Sequence, residues 1–178
     1  MTKNVVVCCD GTANEFAADR TNVVKLFFSL RNEPGKQVAC YHPGLGTMEP
    51  PGALTGAAKW ATRILGQALG SGLDRDIRDA YLFIVNNFEP GDRLFLFGFS
   101  RGAYTARAVA SLLRMYGLTA KGSDAFVPYA IRMFTGVNRN AEDPGSAASS
   151  TSPFALAKAF KQTFSRECKT HFVGSGTP

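Results

Sequence analysis

A chain of 178 residues with 45% hydrophobic side chains is long enough for one domain with a sizeable core, and no apolar run in it is long enough to span a bilayer. The formal charge of +6 is scattered rather than gathered into a basic run interleaved with aromatics, which argues against nucleic acid as a partner and only slightly less against an anionic lipid headgroup, with Arg107 and Arg114 read as solvated or ion-paired. The four cysteines, Cys8, Cys9, Cys40 and Cys168, show no metal-ligand spacing and no Cys-x-x-Cys pair, so buried thiols are expected and no metal or organic cofactor is implied.

Met1–Asn4 leads straight into Val5–Val7 without the pattern of a cleaved signal peptide, so the expectation is a cytoplasmic chain, with signal-independent secretion left open. Asn4–Cys9 reads as a buried strand that ends at Asp10–Gly11–Thr12. Thr21–Asn32 reads as a helix, capped by Thr21 or Asn22 and carrying an apolar stripe of Val23, Phe27 and Leu30. Gln37–His42 reads as a second strand, broken by Pro43–Gly44–Leu45–Gly46, and Glu49–Gly56 as a Pro/Gly loop. Ala57–Leu69 predicts a helix. Gly66, Gly70 and Gly72 lack both a preceding strand and a following Gly-Lys-Ser/Thr, which argues for a lid or close packing rather than nucleotide binding. Leu73–Phe88 predicts a helix, with Leu73, Ile77, Tyr81 and Ile84 on one face, and Glu89–Asp92 the turn out of it.

Arg93–Phe99 is continuously apolar, as a strand covered on both faces should be. It runs directly into Gly98–Phe99–Ser100–Arg101–Gly102, a Gly-x-Ser-x-Gly sequence, and then into a helical pattern over Arg101–Tyr116 that Gly117 can end. In that context a serine is lifted onto a sharp strand-to-helix turn as a nucleophile. Side chains at Gly98 and Gly102 would collide with the neighbouring strand and helix. A serine hydroxyl also needs donors for the oxygen that becomes negative. One is the backbone N–H of Arg101, at the positive end of the following helix. The other is expected from Gly11 or Thr12, in the loop after the first strand, with Asp10 supporting it; the same tripeptide also reads as a plain turn.

Beyond the serine, Phe126–Phe134 looks helical, Asn138–Ser152 reads as a flexible insertion, Pro153–Glu167 as a helix and Thr170–Val173 as the start of a strand. Alternation of strands and helices predicts a single α/β domain over residues 1–178, with a mainly parallel sheet and helices on both faces.

Four blocks carry a family resemblance: Cys9–Asn14, Thr21–Val23, Tyr41–Thr47 and, the longest and most specific, Gly91–Arg107. They resemble the signature blocks of a bacterial and fungal α/β-hydrolase family of unknown function, similar to the catalytic domain of type VI secretion phospholipase effectors. The resemblance runs to about Leu118 and resumes at His171–Gly174. It implies an α/β-hydrolase fold, a Ser-His-Asp triad with Ser100 as nucleophile, and hydrolysis of esters, phospholipids among them. In the family, a strand like Phe172–Val173–Gly174 continues into a Trp-Asp-Thr segment that supplies the acid, and a later segment supplies the histidine. Here Gly174 is followed by Ser175–Gly176–Thr177–Pro178, so neither is carried over and a C-terminally truncated hydrolase is expected.

Replacements within the chain are few. Ser100, Asp143 and His171 run in the α/β-hydrolase order, but Asp143 falls in the insertion and His171 opens a strand. His42 precedes the serine, and Asp124 reads as a surface residue. Two readings follow: a serine esterase or phospholipase-like enzyme, or a catalytically incomplete hydrolase fragment that is inert or only binds. A parallel sheet ending at Val173 also leaves an uncovered edge, with self-association as the expectation.

Overall fold

The structure, a computed structural model, describes residues 2–11, 21–43, 57–142 and 152–176, with 57–71 and 137–142 described as backbone only. The main sheet has four strands: β1 (Asn4–Cys9), β2 (Gln37–His42), β3 (Arg93–Phe99) and β6 (Thr170–Gly176), in the order β2-β1-β3-β6. Every pairing is parallel, so all four strands end at one rim. β1 lies second from an edge and is covered on both faces, which is why Val5, Val6, Val7, Cys8 and Cys9 are all buried.

Successive side chains point to opposite faces of a strand. Val5, Val7 and Cys9 of β1 join Leu94 and Leu96 of β3 in a large core under α2 (Ala57–Asn87), α3 (Arg101–Tyr116), α4 (Val127–Glu142) and α5 (Pro153–Phe164). Val6 and Cys8, with Phe95, Phe97 and Phe99, form a smaller core under α1 (Asn22–Ser29). Among the described residues, helices therefore cover both faces, four on one and one on the other. Tyr81 of α2 is fully buried; its hydroxyl donates to Gly117 O at 2.8 Å and accepts from Thr119 N at 2.9 Å, tying α2 to the turn that ends α3. Asp92, in the turn before β3, is buried and ion-paired to Lys3.

Several elements differ from the sequence reading. Ala57–Asn87 is one helix, so Gly66, Gly70 and Gly72 lie inside it and not in a break. A glycine costs a helix only about 1 kcal/mol against alanine, and here the flanking helix-forming residues prevail. α1 stops at Ser29, where Leu30 turns extended and its N–H bonds back to Phe27 O. α4 follows a 3₁₀ turn at Asp124–Phe126 and continues to Glu142, so the first residues of the expected insertion are helical, while 143–151 lie outside the described residues. α5 ends at Phe164, because Ser165–Arg166 (β5) leaves the helix to pair with Leu118–Thr119 (β4). β6 runs on to Gly176, three residues past the expected end.

The cysteines of the structure are free thiols; burial pushes Cys8 and Cys168 up to about 12. Among the described residues no cluster of His, Cys, Asp and Glu is arranged to hold a metal ion, and no helix is long and apolar enough to cross a membrane.

Candidate active site

Where parallel strands end, the chain must turn into loops and helices, and ligands of open α/β sheets bind at that rim. β3 ends at Phe99, and Ser100 follows in a backbone conformation of φ 53 and ψ −120. It is the one non-glycine residue with positive φ among the described residues. These angles belong to the first central residue of a type II′ turn, a position that glycine normally takes. A serine there carries backbone strain and must be held by its surroundings.

The holding is steric and hydrogen-bonded. A Cβ at Gly98 would run into the backbone of Gly102 and stand 2.6 Å from Ala103 Cα. A Cβ at Gly102 would overlap the Cys9 carbonyl and stand 2.7 Å from Asp10 O. The two glycines thus let the turn fold flat between its own helix and β1. Ser100 N donates to Gly176 O of β6 at 3.0 Å, and Ala103 N donates back to Ser100 O at 3.0 Å, closing the first turn of α3. The Ser100 residue itself is exposed.

The loop after β1 lies against this turn: a Cβ on Gly11 would sit 3.1 Å from Ser100 Cβ. Asp10 is buried and organises that loop. Its Oδ1 accepts from Gly11 N at 2.8 Å, and its Oδ2 accepts from Thr21 Oγ1 and from the Tyr41 hydroxyl, each at 2.7 Å. Thr21 Oγ1 also accepts from Val24 N at 3.2 Å, so one hydroxyl both caps α1 and holds the loop. Burial, and then the bond to Asp10, push the Tyr41 hydroxyl well above the usual tyrosine range. The Gly11 N–H is occupied by Asp10, and Thr12 lies outside the described residues.

Arg101, the residue after the serine, turns its guanidinium to α2. Its Nη2 stands 3.1 Å from Asp76 Oδ2, with the two side chains only 12% and 17% exposed. Burial raises the Asp76 carboxyl and the facing arginine pulls it back. Asp76 does not stand out in the sequence, and Tyr41 does so only as the start of a resembling block, with no role attached. Each reaches the site through packing between elements far apart in the chain.

The remaining candidates do not converge on Ser100. His171 is the second residue of β6, near the opposite rim of the sheet, where its ring packs edge-on against Phe95 at 5.0 Å. His42 ends β2, and β1 lies between that strand and β3; its Nε2 is buried and has no hydrogen-bond partner among the described residues. Asp124 is exposed in the 3₁₀ turn before α4, and Asp143 lies outside the described residues. Among the described residues, no hydrogen bond joins the Ser100 hydroxyl to a histidine or carboxylate.

Comparison with known proteins gives the family. Residues 3–175 match the family described as T6SS, Phospholipase effector Tle1-like, catalytic domain. The chain is also similar to the uncharacterized protein YEL023C of Saccharomyces cerevisiae, at 36% identity over 180 residues that cover 97% of this chain and 26% of that protein. It therefore spans about a quarter of the length of this curated relative. No solved structure matches it. With nearly its whole length inside the matched region, the chain belongs to the family of Tle1-like phospholipase-effector catalytic domains.

Proposed function

We propose that this chain is a serine-hydrolase domain of α/β-hydrolase type, cleaving the carboxylic ester of a phospholipid through Ser100. One observation carries the reading: a strained, exposed serine at φ 53, clamped between two glycines that admit no side chain, at the rim where all four strands end. The family adds the substrate class. In this mechanism Ser100 Oγ attacks the ester carbonyl and the acyl group passes to the serine as the alcohol leaves. Water then attacks the acyl-enzyme and releases the acid. In this reading the backbone N–H of Arg101, at the start of α3, serves the oxygen that becomes negative. The N–H of Gly11 is taken by Asp10, and Thr12, the other donor expected from this loop, lies outside the described residues.

A second reading, a domain that binds without turnover, is favoured by one fact. No base or acid reaches Ser100 among the described residues. One experiment separates the two. The purified chain is treated with a fluorophosphonate probe and with a short-chain activated ester, beside Ser100→Ala. Labelling and turnover that fall at least about a thousand-fold in Ser100→Ala support the enzyme. Equal signals in both proteins rule it out.

A further inference from the structure

One surface away from the serine combines arginines with stacked aromatic rings. A cavity of about 480 Å³ opens between α2 and α4, lined by Asp74, Arg75, Arg78, Pro128, Ile131 and Arg132. Asp79 shares Arg75 at 3.9 Å and Arg78 at 3.1 Å, whereas Arg132 has no ion pair among the described residues. Tyr129 lies one turn before Arg132 on the outward side of α4, and three or four residues along a helix are surface neighbours. From Tyr129 a ladder of rings crosses to α5: Tyr129 to Phe160 at 6.3 Å, Phe160 to Phe164 at 5.3 Å, and Phe164 stacked on Phe126 at 4.6 Å. Tyr129, Phe126 and Phe164 are 47%, 39% and 39% exposed, and Leu156, one turn before Phe160, is 43% exposed. α5 itself carries Lys158 and Lys161 and no acidic residue.

Packed rings that stay open to solvent mark an interaction surface. Three arginines line the cavity against Asp74 and the shared Asp79, a net of one positive charge centred on Arg132, which suits a phosphate group. Aromatic rings beside Lys and Arg are the composition that settles at the headgroup level of a bilayer. α2 carries both the cavity's Arg75 and Arg78 and the carboxylate that meets the residue after the serine. Asp76, next to Arg75, holds Arg101, and Arg101 follows Ser100.

We propose that the α2–α4–α5 surface docks on an anionic phospholipid bilayer: Arg75, Arg78 and Arg132 take lipid phosphates, and Tyr129, Phe126 and Phe164 enter the headgroup layer. The proposal rests on the phospholipid reading above and assigns the face that meets the lipid.

Flotation with vesicles tests it, using phosphatidylcholine alone and phosphatidylcholine mixed with about one third phosphatidylglycerol. The chain binds the mixed vesicles, and added salt weakens that binding. Arg132→Ala binds about five-fold more weakly and the triple Arg75→Ala/Arg78→Ala/Arg132→Ala variant about a hundred-fold, at roughly one five-fold step per basic residue. Tyr129→Ser also weakens binding, while Arg132→Lys keeps it. Circular dichroism checks that each variant is folded; if the triple variant is not, the contrast between Arg132→Ala and Arg132→Lys decides. Equal binding to both vesicle types, no binding, or a folded triple variant that binds like the parent overturns the proposal. So does full release by soluble glycerol phosphate, which would make the cavity a site for free phosphate esters. Ser100→Ala floats like the parent. Vesicle binding without probe labelling sinks the hydrolase reading alone, and labelling without vesicle binding sinks the docking surface alone.

Discussion

Ser100 holds its hydroxyl out on a backbone that its own side chain disfavours. The left-handed conformation at φ 53 costs a non-glycine residue about 1–3 kcal/mol, so the strain is testable. Ser100→Gly is expected to be more stable than Ser100→Ala by roughly 1 kcal/mol in urea unfolding, although both lose the nucleophile. Equal stabilities would mean that the turn is relaxed. The clamp is stricter than the strain. A methyl group at Gly98 or Gly102 meets backbone, which cannot rotate aside. Gly98→Ala and Gly102→Ala are each expected to lose about 1–3 kcal/mol or more, with a matching fall in melting temperature. Tyr41 acts one step back from the serine. Tyr41→Phe removes a donor from the buried Asp10 carboxylate and should cost about 1–3 kcal/mol. Probe labelling of Ser100 should slow with it, because Asp10 holds the adjoining loop.

At the scale of elements, the sequence carried the site-bearing strands well and their long-range fastening poorly. Asn4–Cys9, Gln37–His42 and Arg93–Phe99 emerge with the expected bounds, because short apolar runs stopped by turn residues admit few alternatives. The elbow was legible for the same reason, since its strand, turn and helix are contiguous. The β4–β5 pair was not, because two residues a side carry no periodicity and only the packing of Ser165 and Arg166 against the end of α3 reveals it. The Tyr41–Asp10 bond joins residues 31 apart, and only strand register brings them together. The end of β2 yields a pH prediction. His42 is partly buried, its Nε2 without a partner among the described residues, and burial lowers its pKa below the usual 6.5 against an opposing pull from Asp79. The folded chain thus favours neutral imidazole, while the unfolded chain takes up a proton near 6.5. The stability contribution is whole above about pH 6.5 and is lost as pH falls below it, toward the depressed folded value. Urea unfolding between about pH 7.5 and pH 5 should show this loss, and His42→Gln should flatten it. An unchanged slope in His42→Gln would assign the effect to another group.

Across the whole molecule, the two margins of the sheet are unlike. β2 packs under α1 and α2 and leaves only partly exposed residues. β6 is largely open, with Phe172 49% and Val173 37% exposed. Edge strands usually carry lysine, proline or a bulge that discourages pairing. Thr170–Gly176 has no lysine, arginine or proline, and its register shift with β3 lies at its beginning, near Leu94 and Phe95. The stretch from Phe172 to Gly176 is therefore a regular strand whose outer N–H and C=O groups face no neighbour in the sheet among the described residues. A second copy can pair with it about a two-fold axis, burying the Phe172 and Val173 side chains of both. Sedimentation velocity should accordingly show concentration-dependent self-association of the isolated chain. Val173→Lys should suppress it by placing like charges opposite each other across the axis, without touching the Ser100 turn. A parent chain that stays monomeric at every concentration would show that exposed apolar side chains on this edge do not suffice to drive pairing. Association that survives Val173→Lys would move the contact elsewhere, with the aromatic ladder of α4 and α5 the next surface to mutate.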